Sequence, residues 1–187
     1  MRRRLVVGIS GASAPHYGVR LLEVLQPLDV EVHLVMSAGA ARTIDLEMGR
    51  DPAAVAALAD VSHDPGDVSA PPASGTFLTE GMVVAPCSIR SLSAIATSAN
   101  DNLLVRAADV CLKERRRLVL VVRETPLHLG HLRLMTHAAE AGAVILPPVP
   151  AFYHRPTSVQ ELVDHTVTKI LDQFGIHVDL IRRWEGP

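Results

Sequence analysis

Aromatic residues are scarce in this chain: one Trp, two Tyr and three Phe make up 3% of the sequence. Any role that needs an aromatic face therefore falls on very few positions. Cysteine is as sparse. Cys87 and Cys111 stand far apart and form no C-x-x-C pair, which argues against a disulfide framework or a zinc knuckle and suits a reducing compartment. There is no basic excess either. Eighteen Lys and Arg against 20 Asp and Glu leave a formal net charge of -2, so the electrostatic footprint of a nucleic-acid binder is missing. No stretch approaches the roughly 18 consecutive apolar residues that a membrane span requires. Met1 to Arg4 imitate the basic start of a signal peptide, but the apolar run behind them, Leu5 to Ile9, is too short before Gly11 interrupts. The expectation is a soluble, cytoplasmic protein with neither nucleic acid nor membrane as partner.

What is present is a globular composition. Of 187 residues 48% are apolar, enough chain for one domain with a substantial core. Five short apolar runs alternate with helical patterns: Leu5–Ile9, Val30–Met36, Met82–Ala85, Leu118–Val122 and Ala143–Leu146. Helices are expected over Tyr17–Leu25, Ala40–Met48, Ile89–Ala96, Leu103–Glu114, Leu129–Ala141 and Val159–Phe174. Near-continuous Val and Leu runs suit strands buried on both faces, as in parallel sheets. The fold class is therefore α/β: a doubly wound, mainly parallel sheet with helices on both faces, Rossmann-like or flavodoxin-like. Asp64 to Ser74, rich in Pro, Gly, Asp and Ser, is expected to be a long loop. In the last helix, Val159, Leu162, Val163, Val167, Ile170, Leu171 and Phe174 form one apolar stripe, with Lys169 outside it and Gly175 placed as a stop.

Ligands of open α/β sheets bind at the carboxyl ends of the strands. The segments that follow the strands are Ser10 to Ser13, Ser37 to Gly39, Pro86 to Ser88, Arg123 to Thr125, and a proline cluster leading to Tyr153 and Arg155. Each serine alone is most simply a helix cap. Three hydroxyl residues at three helix entrances together suit an anion, since backbone N–H groups and helix dipoles favour phosphate there. The first loop is neither G-x-G-x-x-G nor a Walker sequence, which favours a mononucleotide over a dinucleotide or ATP. Arg123 and Glu124 are either a solvated strand end or a site where a buried carboxylate moves a proton. Lys113 to Arg117, by spacing alone, form a solvated helix end. His128 and His131 share a helix face, but no thiolate or Glu-x-x-His pattern accompanies them, and no metal is expected.

Several blocks together resemble the UbiX family of flavin prenyltransferases, partners of UbiD-type decarboxylases. They are Gly8-Ile-Ser-Gly-Ala-Ser13 with Tyr17 and Gly18, Pro86-Cys-Ser88, Arg106-Ala-Ala-Asp109 with Leu112-Lys-Glu-Arg115, Val122-Arg-Glu-Thr-Pro126, and Pro148-Val-Pro-Ala-Phe-Tyr153. The likeness runs from about Leu5 to Trp184. It implies one flavin-binding prenyltransferase domain over residues 1–187 that moves a dimethylallyl group from dimethylallyl monophosphate to N5 and C6 of reduced FMN, without metal. The product, prenylated FMN, serves a UbiD-type decarboxylase. The resemblance further implies a homo-oligomer, a dodecamer, with active sites near subunit contacts. Carried over by position, Gly11, Ala12, Ser13, Ser37, Ser88, Ile89, Arg90, Ser91 and Arg123 hold FMN. Arg106, Lys113, Tyr153 and Lys169 bind the prenyl phosphate, and Glu124, Ser13, Lys113 and Trp184 are the catalytic set.

Two positions depart from the family pattern. Ala14 stands where Gly is usual and is followed by Pro15. A backbone needing positive φ there would cost roughly 1 kcal/mol with Ala. Ser13 capping a helix with Pro15 in its first turn avoids that cost, and is the expected arrangement. Lys169 stands where Arg is frequent; it keeps the charge and loses the bidentate fork. Two other functions fit parts of the pattern. One is an FMN-dependent cysteine-peptide oxidative decarboxylase using His16 as base; the other is a non-catalytic flavin carrier.

Overall fold

The computed structural model describes residues 2–184 and 186. Six parallel strands form one sheet: β1 (Arg3–Ile9), β2 (Val30–Met36), β3 (Val61–His63), β4 (Gly81–Cys87), β5 (Arg117–Val122) and β6 (Val144–Ile145), in the order β3-β2-β1-β4-β5-β6. The helices are α1 (His16–Leu25), α2 (Ala38–Met48), α3 (Pro52–Ala56), α4 (Ile89–Ala96), α5 (Leu103–Lys113), α6 (Leu129–Glu140) and α7 (Val159–Asp172). This is the expected doubly wound α/β fold. Its strand order reverses between β1 and β4, the point at which such sheets open a ligand crevice.

Alternation along the strands divides the core in two. Leu5, Val7 and Ile9 pack with α1 and α7, through Leu21, Leu22, Val167, Ile170 and Leu171. Val6, Met82 and Val84 pack with α4 and α5, through Leu92, Leu104 and Ala108. An ion pair from Arg20 to Asp164, 2.7 Å, joins α1 to α7 on the first face. Of the stripe on α7, Val163, Val167, Ile170 and Leu171 are buried, Leu162 is half-buried, and Val159 at the start is 74% exposed.

Six strands replace the five expected. β3 has three residues, two of them exposed, so it carries no apolar run to read. Its place at the sheet edge is secured by side chains instead: His33 Nδ1 lies 2.9 Å from His63 Nε2, and Asp60 accepts from the Val32 N–H. Helix α3 was also missed. Asp51 caps it, accepting from Ala53 N–H, and Pro52 fills its first position; this Asp-Pro pair is a start signal in a helix too short for periodicity. The segment 64–74 is a loop with a single 3-10 turn at Pro71–Ala73, tethered by Leu103 N–H to the Pro65 carbonyl.

Gly18 lets α1 lie directly on β4: a Cβ there would stand 2.1 Å from the Ala85 carbonyl oxygen. That neighbour is backbone in a central strand and cannot move aside cheaply. Gly18→Ala should therefore destabilise the fold by about 1–3 kcal/mol, the usual cost of overpacking, read as a lower urea midpoint with unchanged slope.

Candidate active site at the crevice between β1 and β4

The crevice is organised by Ser10. Its buried side chain donates to the Pro86 carbonyl at 2.9 Å and accepts from Ser88 N–H at 2.7 Å, joining the end of β1 to the end of β4. Two helices then point their N-termini into one space. Ser37 caps α2, its Oγ accepting from Ala40 N–H at 3.1 Å. Ser88 caps α4, accepting from Ser91 N–H at 3.2 Å and donating to Ser91 Oγ at the same distance. Gly11 and Gly39 bring the first two loops together; a Cβ on Gly11 would meet the Gly39 Cα at 3.0 Å. The cavity between these groups is about 480 Å³ and is lined by Gly11, Ser37, Gly39, Pro65, Ser88, Arg90, Ser91 and Val105 among others. Its size suits a cofactor, and two capped N-termini converging on it suit a phosphate. A larger concavity, about 640 Å³, lies among Glu80, Arg115, Arg117 and Phe174 at the amino ends of the strands, where none of the serine-capped helix N-termini point.

The third helix entrance differs from expectation. Ser13 caps nothing; Pro15 is the cap of α1, without a side-chain bond, and Ala14 has φ of 66°. The loop does require the left-handed backbone, so the expected cap arrangement is corrected. Glu47 holds the loop in that shape: its carboxylate accepts from Ser13 Oγ at 3.1 Å and from Ala14 N–H at 2.8 Å. Sequence reasoning missed Glu47, which lies in the last turn of α2 with no motif around it.

Arg123 is partly buried, its backbone N–H donating to the Cys87 carbonyl. It lies near Tyr17, whose phenol is pushed up chiefly by burial and drawn down in part by Thr166 and the Arg123 charge. Glu124 is exposed and accepts from Thr125 N–H, so the solvated strand end describes it and the alternative of a buried carboxylate does not. Both cysteine thiols are buried and pushed up to about 12 by desolvation, which leaves them as packing groups. His128 serves as the cap of α6, its Nδ1 accepting from Gly130 N–H. Among the described residues no three potential metal ligands gather.

The chain folds Tyr153 and Trp184 together, ring centroids 6.2 Å apart and edge to face. They border a hollow of about 350 Å³ with His154, Arg155, Arg182 and Arg183. Lys169 is exposed on α7, one turn beyond His165, which contacts Tyr153. Arg106 and Lys113 are elsewhere. Arg106 donates to the Ala73 carbonyl and pairs with Asp109, while Lys113 pairs with Glu114. Neither lines the serine cavity or the aromatic hollow. His16 opens α1 and is not among the residues that line the serine cavity.

A doubly wound sheet with a mononucleotide-sized cavity at its switch point defines a class of nucleotide- or flavin-binding proteins. A family model described as Flavoprotein matches residues 1–171. The flavin prenyltransferase UbiX of Escherichia coli (strain K12) is 61% identical over 187 residues, spanning 98% of this chain and 99% of its own. Among solved structures, that of AnUbiX (PadA1) in complex with FMN and dimethylallyl pyrophosphate superposes with a TM-score of 0.98 at 49% identity, over 100% of this chain and 99% of that one. A dodecameric FMN-dependent Ubix-like decarboxylase from Escherichia coli O157:H7 does so at 0.96 and 48%, over 98% and 100%. The chain belongs to the Flavoprotein family, among its UbiX-type flavin prenyltransferases. No described helix is long and apolar enough to cross a membrane.

Two predictions follow from this geometry. Ala14→Gly relieves the left-handed strain of roughly 1–2 kcal/mol at the cost of a freer unfolded chain; a net gain of up to about 1 kcal/mol in denaturant unfolding is expected. The second concerns Asp172, whose carboxylate accepts from Arg183 at 2.7 and 3.1 Å and so tethers the segment carrying Trp184. These bonds hold Asp172 below the usual carboxylate range against the opposing pull of burial. A depressed folded pKa means the tether is intact at neutral pH and is lost as pH falls through that value, below the usual carboxylate range. Trp184 is the only tryptophan. Its emission should change on that acid limb, and Asp172→Asn should show the acid-like emission at pH 7.

Proposed function

We propose that this chain is a flavin prenyltransferase that moves a dimethylallyl group from dimethylallyl monophosphate to reduced FMN. The observation that carries the reading is the cavity at the switch point, where serine-capped helix N-termini converge. Full-length kinship with flavin prenyltransferases supports it. Reduced FMN supplies the nucleophilic ring to which the prenyl group is joined.

The residues act by holding and by charge. Ser37, Ser88 and Ser91, with the backbone N–H groups of the α2 and α4 entrances, bind the FMN phosphate, and Gly11, Ala12, Ile89 and Arg90 border it. Ser13 and Arg123 complete the flavin site, with Glu47 fixing the loop that carries Ser13. Tyr153 and Lys169 grip the prenyl phosphate. When the allylic C–O bond breaks, that phosphate leaves with the bonding electrons, and the cations of Lys169, Arg106 and Lys113 stabilise it. The faces of Tyr153 and Trp184 favour the cationic allyl group. Glu124 accepts the proton released when the flavin ring recovers its aromaticity. Arg106 and Lys113 come from a neighbouring subunit of a homo-oligomer, and the product passes to a UbiD-type decarboxylase.

Anaerobic incubation with reduced FMN and dimethylallyl monophosphate should give a prenylated flavin by mass together with one phosphate. FMN bound but unchanged would leave the carrier function in its place. Glu124→Gln should slow maturation of the adduct by roughly 10²-fold, in the range for one proton-transfer group, with FMN affinity kept. If subunits share sites, inactive Lys113→Ala and Glu124→Gln proteins refolded together should recover activity that neither has alone; no recovery would place Lys113 outside the shared site.

A further inference from the structure

Tyr153 is anchored by a group that the family resemblance does not assign. Its hydroxyl oxygen lies 3.0 Å from Nε2 of His165 on α7. A phenol has one proton, and a neutral imidazole nitrogen either donates or accepts. If Nε2 presented its lone pair, the Tyr153 proton would be committed to the imidazole. The oxygen would then turn only lone pairs toward the hollow, where they repel phosphate. If Nε2 carries the proton, His165 donates to Tyr153 and the phenol proton is free to point into the hollow.

The surroundings keep the His165 ring fixed. His154 stacks on it, centroids 5.4 Å apart and planes 7° from parallel. Tyr153 meets it edge-on at 5.8 Å. Burial first, then the neighbouring His154 and Lys169, pushes its pKa down, so at neutral pH the ring offers a tautomer and not a charge. Lys169, one turn on, supplies the charge. An anion in the hollow selects the donor tautomer at Nε2, because only that one leaves Tyr153 a proton to give.

We propose that His165 is a positioning residue for the prenyl donor: it donates from Nε2 to the Tyr153 oxygen and so aims the Tyr153 hydroxyl proton at the donor's phosphate. This role rests on the reading of Tyr153 and Lys169 as the phosphate grip. No bond is made or broken at His165, so its effect belongs in substrate affinity.

The test is steady-state prenylation of reduced FMN by the full-length protein at varied dimethylallyl monophosphate. Gln places an amide N–H near the position of Nε2, whereas the shorter Asn does not reach Tyr153. His165→Asn should raise KM for the donor roughly tenfold, the worth of one hydrogen bond to a charged group, with kcat and FMN affinity nearly unchanged. His165→Gln should restore most of that loss. His165→Phe, which keeps a ring against His154, should match Asn; if it does not fold, the Asn and Gln pair carries the same test. In a Tyr153→Phe background, His165→Asn should add nothing further, because it acts through the phenol. An active wild type whose donor KM is indifferent to His165→Asn overturns this role alone. So does an equal rise in both backgrounds, or a Gln variant as impaired as Asn. A wild type that forms no prenylated flavin overturns the reaction assigned above, and the role of His165 with it.

Discussion

The buried hydroxyl of Ser10 holds the ends of β1 and β4 at a fixed separation, and the rest of the site is arranged around that link. Both of its bonds go to the segment that turns from β4 into α4. At this place the sheet changes winding direction, so the two connections leave on opposite faces and open a crevice. A side chain that bonded only locally would leave the Ser88 amide without its partner in a partly buried turn, at a cost of up to about 1–3 kcal/mol. With the link made, α4 starts where its N–H groups face the same cavity as those of α2.

The cavity follows from close backbone approach as much as from polar groups. Gly11 and Gly39 let two loops touch, and Gly18 lets α1 press on β4. Small residues thus set how near the helix entrances lie to one another. The left-handed Ala14 is a local cost accepted in the same region, countered by the carboxylate of Glu47 on its backbone N–H. Strained backbone beside a ligand site is held by its surroundings; here the holding group lies 33 residues away in the chain.

The charged and aromatic groups divide by element. Tyr153 meets both His165 and Trp184. Arg106 and Lys113 lie on α5, which runs away from the crevice, and they bond to their own neighbours. A set of residues that resembles a complete active site in the sequence is thus separated in the fold of the single chain.

Much of this was legible in the residues. Val- and Leu-rich runs separated by helical periodicity determine a parallel α/β sheet, because a strand buried on both faces tolerates few polar positions. Ser37 and Ser88 were readable as helix entrances, since capping is local chemistry. Other features came only with the tertiary structure. The edge strand at Val61 has no apolar signature and depends on a histidine contact with β2. Ser13 looked like a third cap, but Glu47 takes its hydroxyl and the helix begins after Pro15. Likewise the placement of His165 against Tyr153 is a long-range fact. Local sequence sets what each segment prefers, whereas which distant groups meet depends on how the helices lie across the sheet.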